Sequence, residues 1–129
     1  FGHDGLRWHA RAFCHREKKY KDFILSRFRA ATVIDQDSMP NDGDRFWTSI
    51  FDVVLMPNPQ LSEFQREAIA EDFCMTANEL RIPVRQSMLY YFQRRYRLDL
   101  ANGHDRPGEA PLVIKNETDF FAALREAMS

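Results

Sequence analysis

Gly5-Leu6-Arg7-Trp8-His9-Ala10-Arg11-Ala12-Phe13-Cys14-His15 alternates from end to end. Leu6, Trp8, Ala10, Ala12 and Cys14 fall on one face, and Arg7, His9, Arg11, Phe13 and His15 on the other. A period of two predicts a half-buried strand with the Trp8 row turned inward, Trp8 serving as core rather than as a stacking platform. Arg16-Glu17-Lys18-Lys19 then reads as a charged turn. A second strand follows at about 20–28, with Phe23 and Leu25 on one face, Ile24 and Phe28 on the other, and Arg27 ending the Phe23 row. The two strands predict an antiparallel hairpin. Upstream, Phe1–Gly5 reads as a strand end entering an Asp4-Gly5 turn. With no initiator Met, the expectation is a piece of a longer protein.

Downstream of the hairpin, residues 35–45 are polar and turn-rich and predict a linker. A nearly continuous apolar strand runs from about Thr48 to Met56, and Pro57 and Pro59 end it. Ser62-Glu63-Phe64-Gln65 fits a capping box, so a helix starts at Ser62, with Phe64, Ala68, Ile69 and Phe73 as its apolar stripe. Leu80–Val84 reads as a short strand. After Pro83, Val84, Met88, Phe92 and Tyr96 recur at helical spacing. Residues 101–110 read as a loop, Leu112–Ile114 as a strand, and 118–128 as a helix with Phe120, Leu124 and Met128 aligned. The order is β-α-(β)-α-β-α. The fold class is α+β, with domains expected at 1–36 and 37–129.

Composition bounds the function. The 129 residues carry 18 Lys and Arg against 19 Asp and Glu, a net charge of −1. One or two small domains fit this length. Two cysteines, Cys14 and Cys74, exclude a disulfide scaffold and point to a reducing, cytoplasmic setting. No apolar run approaches the ~18 residues of a membrane span. The average charge hides a split. Residues 1–30 carry eight basic and three acidic groups, a net +5, and the rest carry ten and sixteen, a net −6. Such asymmetry suits an anionic partner for the basic segment.

The chemistry-bearing patterns are few. No phosphate-binding glycine loop occurs. His9 and His15 share a strand face but sit roughly 20 Å apart, and no CxxC or HExxH spacing exists, so neither metal nor cofactor is expected. His9, Asp22 and Ser26 have no catalytic spacing signature, which argues against an enzyme. Arg7, His9 and Arg11 place three donors about 7 Å apart along one strand face, a spacing that suits successive phosphates, and Arg27 adds a fourth. The alternative is a solvated face paired with Glu17 or Asp22. Arg94-Arg95-Tyr96-Arg97 closes a helix, where cations complement the macrodipole; subunit contact or phosphate binding is the alternative. Tyr90, Tyr91 and Phe92 cannot all face one core from one helix. Some of that aromatic surface is expected to meet a second copy in a homodimer.

Residues 5–15 resemble the signature strand of WYL-domain proteins, with the naming tripeptide on Trp8-His9-Ala10. The form with His second and Arg11 after it is similar to WYL repressors found beside phage-defence systems such as BREX and CBASS. Phe23-Ile24-Leu25-Ser26-Arg27-Phe28 resembles the following family strand, with Ser26 in place of the usual Asp and Arg27 on the family arginine. Phe51–Pro57, Gln65–Met75 and Ile82–Arg85 resemble the C-terminal extension (WCX) of these proteins. The resemblance implies a partial SH3/Sm-like β-barrel followed by a small α/β dimerisation domain. It implies a ligand-sensing basic face, here Arg7, His9, Arg11 and Arg27, for a nucleic-acid or nucleotide anion. It also implies an N-terminal winged helix-turn-helix, outside this sequence, that binds operator DNA as a homodimer. A purely structural interaction module and, further off, a hydrolase using His9 and Ser26 are the other classes.

Overall fold

The computed structural model describes residues 1–34, 43–98 and 110–129. The expected linker centre at 35–42, with the domain boundary in it, and most of the 101–110 loop lie outside the described residues. Two small antiparallel sheets carry the chain. The first joins β1 (Gly2–His3), β2 (Trp8–Cys14) and β3 (Lys19–Ile24) in sequence order. The second is built on β4 (Ile50–Pro57), with β5 (Leu80–Arg85) on one side and β6 (Leu112–Ile114) on the other. Among the described residues four helices complete the α+β fold: α1 (Arg45–Thr48), α2 (Glu63–Asp72), α3 (Leu89–Arg95) and α4 (Glu117–Met128). Among the described residues neither sheet closes into a barrel.

The core follows the apolar runs. Val53 and Leu55 of β4, Leu89 of α3 and Phe120 of α4 are fully excluded from water, with Leu112, Ile114 and Leu124 around them. Burying each such side chain contributes about 1.5–3 kcal/mol. β4 is apolar on both faces because it is the central strand. β6 stops after three residues, and the Asn116 side chain takes over its pairing. Its Oδ1 accepts from the Val54 amide at 3.1 Å and its Nδ2 donates to the Asp52 carbonyl at 2.8 Å. Those bonds point Asp52 away from β5, so Pro83, which lies opposite Asp52, turns its nitrogen away from β4, to the side of β5 with which no other described strand pairs. A proline is tolerated there because no ladder bond is lost.

Several elements differ from expectation. Trp8 is 56% exposed and belongs to the outer face of the first sheet, whereas His9 is 1% exposed. The inward face is therefore the one that carries His9 and Arg11. β3 ends at Ile24, and Leu25–Arg27 forms a 3-10 turn, so Arg27 is exposed beyond the strand rather than aligned on it. Val84 belongs to β5 and Met88 to a 3-10 turn, because pairing with β4 extends to Arg85 before α3 begins. α2 starts as expected, with the Ser62 hydroxyl and the Gln65 side chain capping reciprocally, yet none of its side chains is buried and Phe64 is 80% exposed. Only Ile69 leans on the core. Met128 at the end of α4 is exposed.

Candidate functional site

His9 and Arg11 of the polar row of β2 enter the interior because acidic partners meet them there. The Asp4-Gly5 turn brings the Asp4 carboxylate under His9, whose Nε2–H donates to Oδ2 at 2.8 Å. The amides of Leu6 and Arg7 donate to the other oxygen at 2.8 and 2.7 Å. Burial by itself would raise the Asp4 carboxyl, but the His9 and amide hydrogen bonds outweigh it and hold it far below the usual carboxylate range. A carboxylate with three donors stays ionised in this way.

Arg11 meets two acids. Its Nε and Nη2 form a fork on Asp44, at 2.6 and 3.1 Å, and Nη1 lies 3.6 Å from Asp22 Oδ2. Asp44 sits just before α1, 33 residues along the chain, and is 3% exposed. This pair joins the first sheet to the second half. Bidentate carboxylate binding is the strong form of an arginine contact. The two acids raise the guanidinium above its ordinary value against the effect of burial. Asp22 is raised, because burial outweighs Arg11 and Tyr91.

Tyr91 of α3 ties the network together. Its hydroxyl donates to Asp22 at 3.3 Å, and its ring lies 4.5 Å from the His9 ring, centroid to centroid. Burial, then the Asp22 charge, pushes its phenol up to about 12.

The four sequence-derived ligand residues are thus dispersed. His9 and Arg11 share the inner face but are engaged by Asp4, Asp22 and Asp44. Arg7 precedes β2, is exposed, and lines a cleft against Tyr90, Tyr91, Arg94 and Arg95 of α3. Arg27 stands apart from them in its exposed turn. Asp4, Asp44 and Tyr91 escaped the sequence reading. Asp4 carried only a turn signal, Asp44 sat in the linker, and Tyr91 was one of three consecutive aromatic residues.

A polar seam thus locks the small first sheet onto the second half. Residues 50–120 match the family described as BrxR transcriptional regulator, C-terminal dimerization domain, and the chain belongs to that family. Among its relatives is the DNA-binding transcriptional repressor CapW of Escherichia coli (strain KTE188), 34% identical over 96% of this chain and 42% of the relative. CapW of Pseudomonas aeruginosa is 36% identical over 91% of this chain and 39% of its own length. CapW of Stenotrophomonas maltophilia is 32% identical over 97% and 42%. The chain thus spans about two fifths of the relatives it matches. No helix among the described residues is long and apolar enough to cross a membrane.

Proposed function

We propose that this chain is the sensing and dimerisation region of a homodimeric DNA-binding repressor of bacterial phage defence, acting in the cytoplasm. The observation that carries this reading is the match of the second half to a dimerisation domain of transcriptional regulators, together with the CapW relatives along almost the whole chain. Residues 1–36 are then part of a WYL domain with an SH3/Sm-like barrel, and 37–129 its C-terminal extension. Operator DNA is read by a winged helix-turn-helix elsewhere in the protein.

In this reading an anionic nucleic-acid or nucleotide ligand is taken by Arg7, His9, Arg11 and Arg27. The Arg11 fork supports it, since Asp44 holds the guanidinium in the geometry a phosphate would use. A ligand that displaces Asp44 unties the first sheet from the second half and so favours another dimer geometry. Titration with short single-stranded DNA is expected to give binding that weakens with salt and is lost in Arg11→Ala and Arg27→Ala. Unchanged binding in both variants removes the basic face from the function. The purely structural reading is favoured by the carboxylates already seated on His9 and Arg11, and it predicts that no anion binds at all.

A further inference from the structure

We propose that the cleft between the Asp4–Arg7 turn and α3 binds a small phosphorylated ligand carrying a planar ring, of mononucleotide size, at a place separate from the Arg11–Arg27 face. The site rests on the sensing role proposed above, but of the residues assigned there it uses Arg7 alone.

The cleft encloses about 280 Å³, the lower end of small-ligand sites. Arg7, Arg94 and Arg95 line it, and among the described residues none of the three is paired with an acid. Arg11, by contrast, has two. The carboxylate in the wall, Asp4, is already spent on His9 and two backbone amides. A concave surface lined by three arginines focuses positive potential on whatever enters it. The C-terminal end of α3 opposes this with about half a negative charge and the ionised Asp4 carboxylate with a whole one, which three arginine charges together exceed.

Two features go beyond charge. Tyr90 is 37% exposed in the cleft wall, and the Arg94 guanidinium carbon lies 5.9 Å from its ring centre. That pairing offers a stacking surface next to a phosphate donor, the combination that holds a base and its phosphate. Arg95 is fixed in advance. Its Nη1 donates to the Gly5 carbonyl at 3.0 Å. Gly5 has φ +95°, and a Cβ there would fall 2.4 Å from Arg95 Cδ, so only glycine admits this contact. Tyr91 shares the cleft wall and bonds Asp22, the second acid on Arg11. Occupancy that shifts Tyr91 therefore reaches the pairing between the two halves.

Calorimetric titration of the chain with AMP, inorganic phosphate and adenosine tests the site. AMP is expected to bind saturably, with phosphate and adenosine each at least about tenfold weaker. Arg94→Ala is expected to lower AMP affinity about tenfold, and Arg94→Lys less, while Arg16→Ala, exposed beyond the other end of β2, leaves it unchanged. Tyr91→Phe is expected to keep binding but to abolish AMP-induced protection of β2 and β3 amides in hydrogen exchange. No saturation by about 5 mM AMP, or equal affinity for AMP and phosphate, overturns the proposal. Loss of binding in Arg27→Ala with Arg94→Ala unaffected also overturns it, yet leaves the sensing role standing on the other face. Binding indifferent to both substitutions removes both.

Discussion

At the residue scale, Arg11 and Asp44 explain why β2 turns its polar row inward. Alternation along a strand defines two faces, and hydrophobicity ordinarily selects the buried one. Here Trp8 lost and His9 won, because Asp4, Asp22 and Asp44 meet the buried polar groups. Asp4 lies close in sequence, but Asp44 arrives from 33 residues away, so no local pattern contained the answer. A buried pair is costly to break because the surviving charge is stranded. Asp44→Ala is expected to cost about 3–5 kcal/mol in urea unfolding, and Arg11→Met combined with Asp44→Leu to recover most of it. A loss below about 1 kcal/mol for Asp44→Ala would mean that the pair is effectively solvated.

At the element scale, what was legible was what local chemistry determines. The Ser62–Gln65 capping box starts α2 where expected, and the apolar runs of β4 and β6 locate the central sheet. The Phe120 and Leu124 stripe of α4 is buried as its spacing implied. The start of α3 was not legible, since Val84 and Met88 fit a helical stripe while the ladder to β4 claimed Val84. The candidate site fared less well than the elements: Arg7, Arg11 and Arg27 were readable as cations and Asp22 as a partner on that face, but Asp44, the closer acid on Arg11, was not. α2 itself buries no side chain, so its cap has a local effect. Ser62→Ala is expected to destabilise α2 by about 1 kcal/mol. Amides of residues 66–72 should then exchange roughly fivefold faster with little change in global melting. An equal acceleration across β4 would show instead that α2 opens only with the whole fold.

At the scale of the whole molecule, the charge split has a partial internal use. Among the described residues one cation of the basic segment, Arg11, pairs with an acid of the second half, while Arg7 and Arg27 are exposed. The aromatic excess is likewise only partly absorbed: Phe64, Phe73, Tyr90 and Tyr96 keep much of their surface exposed. For a chain of a dimerisation family, association should stabilise the folded state by mass action. The melting midpoint is therefore expected to rise with protein concentration, and a midpoint constant over about a hundredfold range would identify a monomer. One detail of the second sheet matters for how such a chain behaves when crowded. An uncovered outer strand invites stacking of copies into fibrils. Pro83 withholds a donor midway along β5, on the side with which no other described strand pairs. Concentrated solutions of the chain should thus be protected from ribbon-like aggregation along that side, and replacing Pro83 would remove this protection while leaving every internal bond of the sheet in place.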